Sequence, residues 1–147
     1  MKLLIINGPN LNLTGKRQPE IYGSRSFESF FEVLESGYAS KGCGIQYFQS
    51  NSEGEIIDRL HKAGYGDEGF DGIVINPGAY SHYSLAIADA IAAIPLPVVE
   101  VHISNVAARE AERRKTVTGA ACVAVVAGLG LFGYEAAVEW FVQSRNI

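Results

Sequence analysis

Cysteine is scarce in this sequence, and long apolar segments are missing. Its 2 cysteines, Cys43 and Cys122, lie far apart and belong to no CxxC or histidine-containing ligand set. This spacing argues against both a disulfide framework and a zinc site, so we expect two reduced thiols packed in the fold. The apolar stretch that begins at Met1 meets the polar Asn7 and is too short for a signal peptide or a membrane span. We therefore expect a cytoplasmic protein with no membrane partner.

Basic residues are also in the minority. The chain has 12 Lys and Arg against 16 Asp and Glu, which gives a formal net charge of -4 at pH 7. Nucleic-acid binding requires Lys and Arg clustered on one face, so we expect no nucleic-acid partner, and an anionic ligand must be met by local groups. With 147 residues and 48% hydrophobic side chains, the sequence predicts a single domain over residues 1–147 that buries roughly 70% of its unfolded surface.

Short apolar runs alternate with helical patterns along the chain. The five runs are rich in Val or Ile and are bordered by turn residues: Leu3 to Asn7, Ile45 to Gln49, Gly72 to Asn76, Pro97 to His102 and Ala121 to Val126. Alternation of this kind is typical of a parallel sheet that is covered on both faces. We therefore predict an α/β fold with a doubly wound, five-stranded parallel sheet and helices on both faces.

Capping residues predict where the helices begin and end. A helix with its apolar residues at helical spacing from Phe27 to Tyr38 is expected behind a cap at Ser24 or Ser26. Ser52 and Glu55 form a capping-box pattern, and that helix is expected to end before Gly64. Two further helices are predicted, one over Leu85 to Ile94 and one with an apolar stripe of Tyr134, Ala137, Val138 and Phe141.

Polar residues end three of the predicted strands, at Asn7, Asn76 and His102. In an open parallel sheet, ligands bind in the crevice outside the carboxyl ends of the strands, so these positions mark the candidate site. The long loop from Gly8 to Gly23 follows the first strand, and loops of such length are more often functional than not. Its polar residues include Asn10, Asn12, Lys16, Arg17, Glu20 and Tyr22.

Glu100 and His102 lie two positions apart on the fourth strand, so both side chains should point to one face at its carboxyl end. A carboxylate that orients an imidazole makes a general acid or base pair. The alternative is a strand-end histidine that is merely satisfied by hydrogen bonds. At the neighbouring strand end, the segment Asn76 to His82 brings an amide, a turn and a second histidine, although a helix-capping turn would explain the same residues.

A helix is expected to begin at Ile103 to Asn105, where free N–H groups would form a carboxylate cradle. Arg109, Arg113 and Arg114 follow on this segment, and one of them could reach back to complete an anion site.

Two other functions share parts of this pattern. The stretch Gly128 to Gly133 matches GxGxxG after a strand, which would suit a flavin or nucleotide binding module. That fingerprint belongs in the first βαβ unit, so close packing of a helix on a strand is the preferred explanation of these glycines. A receiver domain has the same strand and helix count, but it needs acidic groups at the strand ends where this chain has Asn7 and Asn76.

Several ungapped blocks resemble the type II 3-dehydroquinate dehydratases, in the same order and over nearly the whole chain. They are Asn7 to Leu13, Arg17 to Gly23, Phe48 to Asn51, Asn76 to His82 and Glu100 to Asn105. The resemblance implies a flavodoxin-like fold and the removal of water from 3-dehydroquinate through an enolate, with no metal, cofactor or Schiff base. It also implies a homo-dodecamer of four trimers that serves either the shikimate pathway or quinate breakdown.

The resemblance implies catalytic roles residue by residue. Tyr22 is the expected base beside the substrate ketone, and Arg17 would stabilise its phenolate. His102 is the expected acid for the leaving hydroxyl, with Glu100 orienting it, while Asn12 would help to hold the enolate. Elementary chemistry asks for the same arrangement, because a free tyrosine titrates near ~10 and a phenolate base at neutral pH needs a neighbouring permanent cation.

Substrate contacts are implied in the same way. The expected contacts are Asn76, His82 and Arg113 to the substrate hydroxyls, and the backbone amides of Ile103 and Ser104 to its carboxylate. Asp89 would reach into the site of an adjacent subunit. The chain departs from the family pattern around Glu112 and from Arg114 to Val117, so either Arg113 or Arg114 could be the substrate-contacting arginine. A non-catalytic relative would fit that altered segment but not the intact acid and base.

Overall fold

A computed structural model describes residues 1–22 and 24–144, without the side chains of Ile21 and Tyr22. The strands are β1 (Lys2–Asn7), β2 (Gly44–Gln49), β3 (Gly72–Asn76), β4 (Val98–His102) and β5 (Ala124–Ala127). The α-helices are α1 (Pro19–Tyr22), α2 (Phe27–Ala39), α3 (Glu53–Tyr65), α4 (Leu85–Ala93), α5 (Ala111–Arg114) and α6 (Phe132–Ser144). Short 3₁₀ turns lie at Leu11–Leu13, Gly78–His82, Val106–Ala108 and Gly119–Ala121. Within the described ranges, every helix is too short or too polar to cross a bilayer.

The five strands form one parallel sheet in the order β2-β1-β3-β4-β5. This order confirms the predicted doubly wound α/β fold, and it is the flavodoxin-like arrangement, whose strand order reverses between β1 and β3. The register pairs Asn7 with Asn76 across that reversal. The polar strand ends therefore lie side by side at the carboxyl edge of the sheet.

Each face of the sheet carries its own hydrophobic core. On one face, α2 and α6 pack against strand residues such as Leu3 and Val101. On the other face, α3 and α4 pack against Leu4 and Ile73. Alternation along each strand sends successive side chains to opposite faces, so one apolar run supplies both cores.

Two of the predicted helix boundaries are settled by contacts. Ser26 rather than Ser24 caps α2, because its side chain accepts a hydrogen bond from the Ser29 amide. The expectation that a helix ends before Gly64 is wrong, since α3 continues to Tyr65 and Gly66 follows it. A Cβ on Gly64 would lie 2.6 Å from Cγ2 of Ile94, so this glycine allows α3 and the end of α4 to approach closely rather than stopping the helix.

Two predictions in the second half of the chain are corrected. The helix that was expected to begin at Ile103 to Asn105 is only a 3₁₀ turn at Val106–Ala108 followed by the four-residue α5, and neither buries a residue. Without an apolar stripe there is no face to pack against the core, which is what stabilises most helices in proteins. The last strand begins at Ala124 rather than Ala121, because Ala121 and Cys122 pack against the core on the α3 and α4 face.

Candidate active site at the carboxyl edge of the sheet

A cavity of about 200 Å³ opens at the carboxyl ends of β1, β3 and β4. Seven of the predicted site residues line it: Arg17, Asn76, His82, His102, Ile103, Ser104 and Arg113. The volume suits a small polar ring rather than a dinucleotide. The sheet order therefore places the cavity where an α/β fold binds its ligands.

Glu100 and His102 form a buried pair at the end of β4. Oε1 of Glu100 lies 2.6 Å from Nε2 of His102, and the two residues are 0% and 5% exposed. The same carboxylate accepts hydrogen bonds from the hydroxyls of Thr116 at Oε1 and Thr118 at Oε2. A buried carboxylate is tolerated when its oxygens are satisfied in this way. Because Nε2 is held by Glu100, Nδ1 is the ring nitrogen of His102 that remains for a ligand.

His82 lies beside this pair. Its Nδ1 is 2.8 Å from the carbonyl oxygen of Lys115, and a carbonyl only accepts, so Nδ1 carries the hydrogen and Nε2 remains as an acceptor in the neutral ring. The rings of His82 and His102 stack with centroids 6.3 Å apart and an interplanar angle of 22°. The cavity wall thus presents two adjacent imidazoles, each of which has one ring nitrogen left for a ligand.

Asn76 ends β3 and lines the same cavity. Its Oδ1 accepts from the Gly78 amide at 3.1 Å, and its Nδ2 donates to the hydroxyl of Tyr134 at 2.8 Å. That hydroxyl in turn donates to Oδ1 of Asn7 at 2.8 Å. The predicted ligand-binding amide is therefore connected through buried hydrogen bonds to β1 and α6.

The loop after β1 is held close to the loop after β3. A Cβ on Gly8 would lie 2.5 Å from the carbonyl oxygen of Pro77, so only a glycine allows this approach. Asn10 adopts a left-handed conformation with φ of 68°, and its amide donates to Oδ1 of Asn51 at 3.0 Å. These contacts lead the chain to Arg17, which reaches the cavity.

The segment after β4 forms the remaining wall through Ile103 and Ser104. Its backbone is anchored by the loop after β5, where the Gly128 amide donates to the His102 carbonyl at 3.2 Å and the Gly130 amide to the Ile103 carbonyl at 3.0 Å. Gly128 and Gly130 have φ of 86° and 60°, a conformation that other residues rarely adopt. Gly128 and Gly130 of the GxGxxG stretch thus shape the wall of the cavity. Of the three glycines, only Gly133 fits the predicted close packing of a helix on a strand, because a Cβ at Gly133 would lie 3.2 Å from Cγ1 of Val101.

Arg113, not Arg114, lines the cavity. Arg113 forms an ion pair with Glu110, while Nε of Arg114 donates to the Arg109 carbonyl at 2.5 Å. Arg109 also lines the cavity, and its Nη1 lies 3.4 Å from the Ser104 hydroxyl. Two guanidinium groups therefore border the wall that carries the Ile103 and Ser104 backbone.

Besides Glu100, which holds His102, two predicted residues do not line the cavity within the described part of the chain. Asn12 and Asp89 are exposed, in the Leu11–Leu13 turn and on α4 respectively, and neither borders the cavity in the part of the chain that the structure describes. Tyr22 ends α1, but its side chain lies outside the described residues. The roles of Asn12, Asp89 and Tyr22 stay predictions.

Sequence reasoning missed the residues that support the site from behind. Thr116 was noticed only as part of a departure from the family pattern, Thr118 was not singled out, and Tyr134 was noticed only as a member of an apolar stripe. Two threonines at a spacing of two, before a strand that neighbours Glu100, are the signal that points to donors for a buried carboxylate. Among residues 1–22 and 24–144, no group of three His, Cys, Asp or Glu side chains is placed to hold a metal ion.

Comparisons with known proteins agree on one family. The family described as dehydroquinase class II matches residues 1–142. The 3-dehydroquinate dehydratases of Clostridium beijerinckii and Thermotoga neapolitana are 52% and 49% identical, covering 95% of this chain and 94% and 93% of their own length. The crystal structure of a type II dehydroquinase from Butyrivibrio crossotus superimposes with a TM-score of 0.92 at 46% identity, covering 96% of this chain and 97% of that one.

Proposed function

The chain belongs to the dehydroquinase class II family, and from this premise we propose that it is a hydro-lyase that converts 3-dehydroquinate to 3-dehydroshikimate by anti elimination through an enolate. The observation that carries the proposal is that His102, held by the buried Glu100, lines a small cavity that Arg17 also lines. This arrangement supplies a proton donor and a permanent cation on groups that are held in place by the fold.

His102 is the proposed general acid. Its Nε2 is fixed by the Glu100 carboxylate, so a proton carried on Nδ1 faces the ligand, and the carboxylate stabilises the imidazolium that carries it. Transfer of this proton to the leaving hydroxyl releases water as the carbon–oxygen bond breaks. In the same step, an electron pair of the enolate oxygen regenerates the ketone, and the carbon–carbon electron pair of the enolate forms the new double bond.

Tyr22 is the proposed base, acting on the carbon beside the ketone. A phenolate requires a neighbouring cation, and Arg17 is the guanidinium that the loop after β1 brings to the cavity. Asn12 is proposed to hold the enolate oxygen. No lysine borders the cavity among the described residues, which supports an elimination that proceeds without a Schiff base.

Substrate binding divides into hydroxyl contacts and a carboxylate contact. Asn76 and Arg113 are proposed as donors to the hydroxyls, and His82 as an acceptor through Nε2, since its Nδ1 donates to Lys115. The backbone amides of Ile103 and Ser104 are proposed to take the carboxylate, in a wall that two arginines border. Local positive groups thus meet an anion in a chain whose net charge is -4.

Assembly and cellular context complete the proposal. A homo-dodecamer of four trimers would let the exposed Asp89 of one subunit reach the site of another, and the neighbouring Leu85 on α4 is 68% exposed. We also propose a cytoplasmic location and a role in the shikimate pathway or in quinate breakdown.

Ultraviolet absorbance after addition of 3-dehydroquinate to metal-stripped protein tests the reaction, because the product is a conjugated enone. The absorbance should rise rapidly, and it should still rise after the protein has been treated with borohydride. If borohydride abolishes the rise in absorbance, the imine-free route is refuted. If folded protein gives no rise in absorbance at all, the reaction itself is refuted. The Tyr22→Phe variant should retain the fold and lose nearly all turnover; near-normal turnover would rule out Tyr22 as the base.

A further inference from the structure

Tyr134 is a polar side chain in the middle of an apolar core. It lies on α6, is 0% exposed, and its ring contacts Phe27 and Phe30 at centroid distances of 4.9 and 6.0 Å. Its hydroxyl lies between Asn7 and Asn76, with 2.8 Å to each side-chain amide. Packing alone would be served by phenylalanine, so the hydroxyl at this position needs its own explanation.

The direction of every hydrogen bond in this group is fixed by one backbone amide. Gly78 N–H can only donate, so the Asn76 atom it meets is Oδ1. Nδ2 of Asn76 therefore faces Tyr134 and donates to its hydroxyl. The hydroxyl has one hydrogen, and it donates that hydrogen to Oδ1 of Asn7. We call this series of hydrogen bonds, from Gly78 through Asn76 and Tyr134 to Asn7, the relay.

The far end of the relay is consistent with the same direction. With Oδ1 of Asn7 occupied by Tyr134, its Nδ2 is directed to the hydroxyl of Tyr47 at 3.5 Å. Burial raises the pKa of Tyr134 far above its ordinary value, so the hydroxyl keeps its hydrogen throughout the range in which proteins are stable. The relay therefore does not reverse with pH.

We propose that Tyr134 is a positioning residue that orients the Asn76 amide so that its second N–H points to the ligand. Nδ2 has two hydrogens and spends one on Tyr134, while Asn76 borders the cavity. Without the hydroxyl, Nδ2 would lose its buried acceptor, and the amide would be held only through the hydrogen bond from Gly78 to its Oδ1, which leaves its rotation less restricted. The substrate hydroxyl would then meet a donor only part of the time.

This inference rests on the proposed function, and the variant Tyr134→Phe tests it. The expected result is a fall in kcat/KM of about 5-fold to 100-fold, the range for a buried hydrogen bond left unmade. The fall should appear mainly as a higher KM, because a contact made in both the ground and transition states changes KM rather than kcat. A merely structural role would lower the active fraction, and thus kcat, without changing KM.

A double-mutant cycle shows whether Tyr134 acts through Asn76. In an Asn76→Ala background, Tyr134→Phe should change kcat/KM by less than about 2-fold, since the group it orients is gone. The matched control is Tyr38→Phe, which removes the hydroxyl of another buried tyrosine; that hydroxyl is bonded to Glu139 at 2.8 Å, and Tyr38 does not line the cavity. It should leave KM unchanged in both backgrounds.

A second variant approaches the relay from its other side. Asn7→Leu keeps the volume at the end of β1 and removes the acceptor of the Tyr134 hydrogen, so KM should rise in the same manner even if Tyr134→Phe is too unstable to assay. An unchanged KM in whichever variant folds overturns the inference, as does a full effect in the Asn76→Ala background. Absence of turnover in the wild-type protein would overturn the proposed function, whereas an active wild type with an unimpaired variant overturns only the role of Tyr134.

Discussion

The hydroxyl of Thr118 should be worth a measurable part of both stability and activity, and Thr118→Val is the change that tests this. Thr118 and Glu100 are both 0% exposed, and among the described residues Thr118 is the donor to Oε2 of that carboxylate. Valine has nearly the same shape, so the substitution removes the hydrogen bond without leaving a cavity. Water has no route to replace the lost donor.

The expected cost follows from the charge on the acceptor. A hydrogen bond to a charged group contributes about 1.5 to 3 kcal/mol, and for a chain of this size 1 kcal/mol shifts Tm by about 2 to 4 °C. Thr118→Val should therefore lower Tm by about 3 to 12 °C. It should also lower kcat/KM, because Oε2 is released and the carboxylate can rotate away from Nε2 of His102.

Thr118→Ser is the matched control, since it keeps the hydroxyl and loses a methyl group worth about 0.8 kcal/mol. Urea unfolding and turnover should be measured for both variants at one protein concentration, because assembly would make stability concentration-dependent. The serine variant should keep most of the activity. A valine variant as active and as stable as the wild type, or a serine variant more impaired than valine, would refute the reasoning.

Two further outcomes are expected. Arg113→Ala should raise KM by about 10-fold or more, as loss of a charge-assisted contact does, while Arg114→Ala should change KM little. Equal effects in steady-state assays would contradict the placement of Arg113, rather than Arg114, in the cavity wall. Burial and, to a lesser extent, the charge of Glu100 raise the pKa of Cys122 to about 12. Native protein should therefore react slowly with a thiol reagent at pH 8 and faster as the pH rises toward that value. Rapid labelling at pH 8 would show that the thiol is not held in this environment.

The sheet could be predicted from the sequence because its information is local. Gly72 to Asn76 was predicted with the bounds that β3 has, since a short β-branched run with turn residues on both sides has few alternatives. The segment after Asn105 was predicted wrongly because Ala, Glu and Arg favour helix by propensity, while the formation of a long helix depends on an apolar face that this segment lacks.

Contacts in the site could be predicted from the sequence where one strand carries both contacting residues. They could not be predicted where the residues come from elements that are distant in the chain. Glu100 and His102 share β4, so strand periodicity alone brings them to one face. Thr118 and Tyr134 reach the site from other elements, and their contacts depend on how α6 and the segment before β5 dock on the sheet. The spacing of Thr116 and Thr118 hints at donors for a carboxylate, but no local pattern in the sequence shows that the hydroxyl of Tyr134 meets Asn7 and Asn76.

The hydrogen bond from Tyr134 to Asn7 joins positions 127 apart in the chain. Contacts with so large a separation form late, because a long loop must close before they contribute any stability. The residues of β1, β2 and β3 are synthesised before those of α6, yet the proposed role of Tyr134 means that the Asn76 amide acquires its orientation only when α6 docks. The capacity to bind ligand is thus among the last properties that this fold gains as it is made.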